Sequence, residues 1–231
     1  MQRVVAITGG FGTLGRAVGN AFAADGWKVA LLDRAPAPDA ASSAESGTEM
    51  RSGGVDLTDL AAARLAMSSV VERLGPLNAL INVAGGFRWE TLADGELETW
   101  DLMYRVNLRT AATASKAALE HFGDSPEGGR IVNIAAGAAL RAGAGMGAYA
   151  ASKSGVMRLT EALADELKDR GITVNAILPG TIDTPQNRAD MPDADFSRWV
   201  QPADIAAVIV FLASRAASAV TGALIPVTGR S

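Results

Sequence analysis

Short apolar runs rich in β-branched residues recur along the chain, each followed by a segment of helical spacing, and this alternation constrains the fold more than any other feature. Val4 to Thr8 reads as a strand ending in glycines, and Leu14 to Ala24 as a helix closed by Gly26. Trp27 to Asp33 repeats the strand signal, and Arg34 to Ser52, rich in Ala, Ser and Pro, suits a surface connection with at most a short helix. A third strand is expected to end at Val55 and Asp56. The pattern continues with a helix from Thr58 to Leu74, a strand from Leu77 to Val83 and a helical region from Leu97 to Phe122. Gly123 to Gly129 reads as a turn, Arg130 to Ala135 as a strand and Ala148 to Arg170 as a long helix. Ile172 to Leu178 is a further strand, Pro202 to Ala213 a helix with proline in its first turn, and Leu224 to Val227 the last strand. Strands separated by helices need right-handed crossovers, and several of the runs lack the alternation of a half-exposed sheet. The expected fold is therefore α/β, a single-domain doubly wound (Rossmann) parallel sheet over residues 1–231 with helices on both faces.

The composition removes several function classes. Hydrophobic residues make up 48% and charged residues 20%, the balance of a packed globular chain. The formal charge of −4 carries no long run of one sign, which argues against a nucleic-acid partner. There is no cysteine, so disulfides, thiolate nucleophiles and thiolate metal sites are excluded, and His121 alone cannot build a histidine metal cluster. No segment reaches about 18 uninterrupted apolar residues, and the apolar stretch before Gly9 is too short for a signal sequence. A soluble cytoplasmic protein with no membrane partner is the expectation, and its chemistry must come from oxygen atoms and lysine nitrogen.

Thr8-Gly9-Gly10-Phe11-Gly12-Thr13-Leu14-Gly15 joins the first strand to the first helix. Glycine there lets the backbone approach a pyrophosphate, while the helix N-terminus offers free amides and positive dipole. Asp33, closing the second strand, is placed to accept hydrogen bonds from ribose hydroxyls and to repel a 2′-phosphate. NAD(H) is the expected cofactor; Arg34 directly after Asp33 keeps NADP(H) as the alternative.

Tyr149 and Lys153 stand four residues apart at the start of a helix, so their side chains share one face. A phenol with pKa near 10 exchanges protons poorly at neutral pH, and a neighbouring ammonium is expected to lower that value. Taken with the Thr8 to Gly15 turn, Asn82-Val83-Ala84-Gly85, Asn107, Tyr149-Ala150-Ala151-Ser152-Lys153 and Pro179-Gly180 with Thr184, the chain resembles the short-chain dehydrogenase/reductase family over nearly its whole length. The resemblance implies that Tyr149 balances the proton of a hydride transfer and that Asn107 holds a water in the relay to Lys153. It also implies that Asp56 and Leu57 flank the adenine, that Asn82, Ala84 and Gly85 border the cofactor, that Pro179 and Gly180 lie beside it, and that Ile182 and Thr184 meet the nicotinamide carboxamide. A homodimer or homotetramer built through small-residue helices is a further implication.

Family members usually carry a serine thirteen residues before the tyrosine, where its hydroxyl holds the substrate oxygen; here that position is Ala136. Losing such a donor costs a ketone reductase about 2 to 4 kcal/mol of transition-state stabilisation. The stretch from Leu178 to Trp199, together with Val83-Ala84-Gly85-Gly86, Asp101-Leu102-Met103 and Gly145-Met146-Gly147, resembles the quinonoid dihydropteridine reductase branch, which also has alanine at that position. This resemblance implies a small conjugated substrate that accepts hydride directly. The chain departs from that branch in keeping Thr8 and Asn107 and in ending sooner. A general short-chain dehydrogenase acting on an alcohol or ketone, and a catalytically weak cofactor-binding sensor, are the other two readings. Phe196 and Trp199 read either as lid aromatics that stack on a flat substrate or as core. Phe87, Arg88 and Trp89 read as a second border of the pocket or as plain surface, and His121 as a surface cap.

Overall fold

A computed structural model describes residues 2–38, 47–122 and 128–230. Seven parallel strands form one sheet in the order β3-β2-β1-β4-β5-β6-β7. The strands are β1 (Val4–Thr8), β2 (Lys28–Leu32), β3 (Glu49–Ser52), β4 (Leu77–Asn82), β5 (Arg130–Ile134), β6 (Thr173–Pro179) and β7 (Leu224–Val227). Seven α-helices connect them: α1 (Thr13–Ala24), α2 (Leu60–Leu74), α3 (Leu97–Met103), α4 (Thr110–Ala118), α5 (Gly147–Leu167), α6 (Pro185–Asp190) and α7 (Pro202–Ala213). The doubly wound Rossmann architecture is as expected.

Alternate residues along each strand enter opposite layers, because successive side chains of a strand point to opposite faces. Val4, Ala6, Leu80, Ile131 and Val174 meet Met67 and Val70 of α2, Ala114 of α4 and Leu167 of α5. Val5, Ile7, Ile81, Val132 and Ile177 meet Val18 and Phe22 of α1 and Ile205 and Ile209 of α7. All five residues of β1 are buried, which explains why Val4 to Ile7 run apolar without alternation; β5 is buried throughout as well, with Arg130 and Asn133 among its apolar residues.

Two boundaries differ from the expectation. The third strand is Glu49–Ser52, inside the segment read as a connection, and Val55 and Asp56 lie beyond it in the turn before α2. This edge strand pairs only with β2, so Glu49, Arg51 and Ser52 keep polar side chains and the apolar signal is weak. The helical region from Leu97 is interrupted by a π-helical turn, Tyr104–Arg109, and α4 ends at Ala118. Part of the segment read as a connection, 39–46, and most of the turn read over Gly123 to Gly129, 123–127, lie outside the described residues.

The order of the strands reverses between β1 and β4, which pair in parallel with Thr8 opposite Asn82. Ligands of open parallel sheets bind in the crevice at the carboxyl ends of such strands. The glycine turn after β1, the Val83–Gly85 loop after β4 and the Ala135–Ala139 loop after β5 all open there.

Candidate active site

The glycine turn is fixed to the β4 loop by close backbone approach. Thr8 Oγ1 accepts a hydrogen bond from the Ala84 amide at 3.1 Å, and a Cβ on Gly9 would stand 2.8 Å from that same nitrogen. Gly9 has φ of +64°, and a Cβ on Gly15 would meet the Gly9 carbonyl at 2.1 Å, so neither position accepts a side chain. Gly12 caps α1 with no side-chain hydrogen bond, which leaves the first amides of that helix open to an anion. A groove runs from this helix end along Gly12, Thr13, Leu14 and Gly15, past Asp33, Arg34, Asp56 and Leu57, to Ala84, Gly85 and Thr184. Val55, Thr58, Val106, Thr110 and Gln186 also line it; the sequence reading missed them because each sits one to three residues from a recognised motif with no pattern of its own.

Other expected border residues lie elsewhere. Asn82 is 3% exposed, and its amide nitrogen donates to Ser115 Oγ at 3.0 Å and Asn133 Oδ1 at 2.8 Å, so it ties β4 to α4 and β5 beneath the groove. Its expected place on the cofactor border is thus corrected. Pro179 ends β6, and the Gly180 amide donates to Val227 O at 3.3 Å. Ile182 bridges to Val200, and its carbonyl accepts from Asn187 Nδ2 at 2.8 Å. Neither Pro179, Gly180 nor Ile182 lines the groove. Phe11 enters through its backbone: its amide donates to Asp33 Oδ2 at 3.0 Å, while its side chain borders a different cleft between α1 and β3. Asp33 Oδ1 accepts from the Ala35 amide at 3.0 Å, so the carboxylate is locked at the end of β2 with one contact on each oxygen. Asp56 accepts from both the amide and the hydroxyl of Thr58, which lowers its pKa; nearby Arg34 and Arg105 add a smaller pull.

The chemical centre sits where α5 begins. Tyr149 is half-buried, and burial pushes its phenol up to about 12. Lys153 is 5% exposed and burial lowers its amine to about 8; its Nζ donates to the Ile134 carbonyl at 2.7 Å. The expectation of a phenol lowered by the ammonium is not met: desolvation governs Tyr149 and raises it. In this state Tyr149 is an acid that holds its proton at neutral pH, and Lys153 changes charge near pH 8.

Asn107 is 1% exposed and acts as a clamp. Its Nδ2 donates to Gly86 O and to Ser152 Oγ, each at 3.0 Å, and its Oδ1 accepts from the Gly86 amide at 2.9 Å. Both amide hydrogens are thereby used; the main-chain carbonyl of Asn107 accepts from Thr110 Oγ1 at 3.3 Å. Asn107 lies in the π-helical turn, where the widened ladder frees carbonyls from their regular partners. Gly85 fits between Asn107 and Lys153: a Cβ there would stand 2.5 Å from Asn107 Oδ1 and 3.2 Å from Lys153 Nζ.

Ala136 is 6% exposed and extended, and its methyl side chain offers no hydroxyl. Ser152 Oγ donates to Tyr149 O at 2.7 Å, and Ser154 Oγ donates to Ala139 O at 2.9 Å, so both hydroxyls on the adjoining turn of α5 are spent on carbonyls. In the segment after β6, Arg188 grips Asp183 through two bonds of 2.6 and 2.7 Å and, with Gln201, holds that carboxyl at about 2. Phe196 and Trp199 pack together at 4.7 Å, and Trp199 is buried, which settles the choice for Trp199 in favour of packing.

The comparisons agree with this geometry. The family model described as short chain dehydrogenase matches residues 3–195. The chain belongs to that family. It is 34% identical to 2-(S)-hydroxypropyl-CoM dehydrogenase 3 of Xanthobacter autotrophicus, over 99% of this chain and 96% of the relative. It is 32% identical to acetoacetyl-CoA reductase of Allochromatium vinosum, over 99% and 98% of the two chains. A blue fluorescent protein from a metagenomic library, solved in complex with NADPH, superposes with a TM-score of 0.84 at 34% identity, over 99% and 97% of the chains. The chain is thus a short-chain oxidoreductase that uses a nicotinamide cofactor, and the groove with its open helix end and glycine cradle fits such a dinucleotide.

Proposed function

We propose that this short-chain dehydrogenase/reductase uses NAD(H) to transfer hydride to or from a small conjugated substrate, with reduction of a quinonoid dihydropterin as its reaction. The observation that carries this reading is Ala136, which has no hydroxyl to hold an isolated carbonyl oxygen, while Ser152 and Ser154 on the adjoining turn donate theirs to carbonyls. A conjugated ring needs less polarisation than a ketone, because the incoming charge spreads over the ring. Bound NADH supplies the hydride. Tyr149, protonated at neutral pH, gives its proton to a ring nitrogen or oxygen, and Lys153, one helical turn away, is the cation that the family pattern pairs with the phenolate left behind. Asn107 fixes Gly86, and through it the loop that faces Tyr149. The anchored carboxylate of Asp33 supports NAD(H) over NADP(H), since a 2′-phosphate would meet a fixed negative charge.

The names of the relatives favour a second reading, an alcohol or ketone dehydrogenase. In that case Tyr149 alone holds the substrate oxygen. Exposed Leu97, Leu102 and Tyr104 on the helices beside α5 support self-association as a dimer or tetramer. NADH oxidation with quinonoid dihydropterin, set against a panel of ketones, separates the two readings; Tyr149→Phe abolishes turnover in either if the proton donor is assigned correctly. Turnover of ketones alone overturns the pterin assignment, and tight NADH binding with no turnover of any substrate would point to a cofactor sensor.

A further inference from the structure

The segment that leads into α5 is walled by aromatic rings. The Phe87 ring stands 4.9 Å from that of Tyr149, edge-on at 88°. Trp89 lies against Gly145, where an added Cβ would come within 2.3 to 2.7 Å of three indole atoms, and Gly145 itself has φ of +72°. Trp100 closes on Gly147 in the same way, with ring atoms 3.2 and 3.3 Å from the position of a Cβ.

The two outer rings are exposed yet held in place. Phe87 is 46% and Trp89 63% exposed, a large apolar area to leave beside a reacting group. Their backbone does not swing freely: Gly86 is clamped by Asn107, and the Glu90 amide donates to Gly145 O at 2.8 Å. One side of the indole therefore rests on glycine backbone while much of the ring remains open. This is the arrangement of a stacking platform, in which the cost of ordering the aromatic is met before a ligand arrives.

We propose that Phe87 and Trp89 are specificity-determining residues, forming a wall that selects planar conjugated rings over acyclic carbonyl compounds. The inference rests on the reading that Tyr149 is the proton donor at this site. A ring stacks on Trp89, and Phe87, already in contact with the phenol, limits how far it slides past the Tyr149 hydroxyl. An acyclic ketone covers little of either surface and gains nothing from them.

The test compares steady-state NADH oxidation by the wild type, Phe87→Ala and Trp89→Ala, using quinonoid 6-methyldihydropterin and 1,2-naphthoquinone as planar probes and 2,3-butanedione and ethyl acetoacetate as acyclic ones. Each alanine variant is expected to raise KM for the planar probes about tenfold, the scale of one stacked ring, with kcat within about threefold. Acyclic kcat/KM should stay within about twofold, and Phe87→Tyr and Trp89→Phe, which keep a ring, should restore most of the planar KM. Equal losses for both classes, or an unchanged planar KM, overturn the proposal. So does a Trp89→Ala variant that dissociates in sedimentation while its planar KM holds, because the ring then serves self-association. If the wild type turns over acyclic probes only, the pterin reading fails by itself. The wall is then read from 2-naphthol inhibition of that turnover: a Ki about tenfold weaker in the alanine variants supports it and an unchanged Ki refutes it.

Discussion

Replacing Asn107 by alanine removes a clamp whose three hydrogen bonds, of 2.9 to 3.0 Å, join the Gly86 backbone to Ser152 on α5. Gly86 is exposed, so water takes over its amide and carbonyl in the variant, and each of those bonds is worth about 1 kcal/mol net. Ser152 is 6% exposed and keeps its bond to Tyr149 O, so its hydroxyl loses one acceptor role without being stranded. The sum is about 2 to 4 kcal/mol including the small void, or a fall in Tm of about 5 to 12 °C for a chain of this size. Because the strap that carries Phe87 loses its anchor beside Tyr149, kcat/KM for NADH-dependent reduction should drop about 100-fold, the scale of a misplacement near 1 Å. Ser152→Ala, which breaks one of the three bonds, should cost about a third of the stability and far less activity. Differential scanning calorimetry and initial rates on the same preparations check both. An Asn107→Ala protein with wild-type Tm and lost activity would refute the clamp and assign the side chain to the reaction itself.

Lys153, lowered by burial to about 8 from an ordinary 10.5, makes activity and stability run in opposite directions with pH. Reductive kcat/KM should be flat below about pH 7 and decline through pH 8 as the amine loses its charge. Over pH 8 to 10.5 the unfolded chain holds the extra proton, so Lys153 contributes stability that rises across that window; paired rate and Tm profiles read this, and parallel declines would contradict it. Asp33→Asn keeps the shape but removes the charge, and should raise the kcat/KM ratio of NADPH to NADH about tenfold, with an unchanged ratio refuting the role given to that carboxylate. Gly9→Ala, which forces a methyl group onto Ala84 N at a positive φ, should weaken NADH binding at least tenfold in titration calorimetry; near-normal affinity would show that the turn does not approach the cofactor closely.

The alternation of strands and helices was legible because buried strands carry short apolar runs, Val4 to Ile7 in β1 and Val29 to Leu32 in β2. The edge strand β3 was not, since Glu49, Arg51 and Ser52 are polar and Met50 alone is apolar. Among site residues, spacing was enough for Tyr149 and Lys153, which share one helix face, and for the glycines, whose lack of a side chain is itself the signal. It was not enough for Asn82, because a motif position does not say which way a side chain turns, and burial sends Asn82 into a polar network under the sheet. The direction of the Tyr149 shift was missed for a related reason: the charge of Lys153 is readable from sequence, but the burial that raises the phenol comes from the folded surroundings. The clamp by Asn107 depends on a π-helical turn that no apolar periodicity announces.

The central claim, a tyrosine-lysine oxidoreductase working without a substrate-holding serine, is tested most directly by Ala136→Ser. Initial rates with NADH should show quinonoid dihydropterin turnover within about threefold of the wild type, and ketone kcat/KM higher by about 10- to 100-fold, the gain from one well-placed donor. Ketone reduction that is already efficient in the wild type and unmoved by the added hydroxyl would contradict the account.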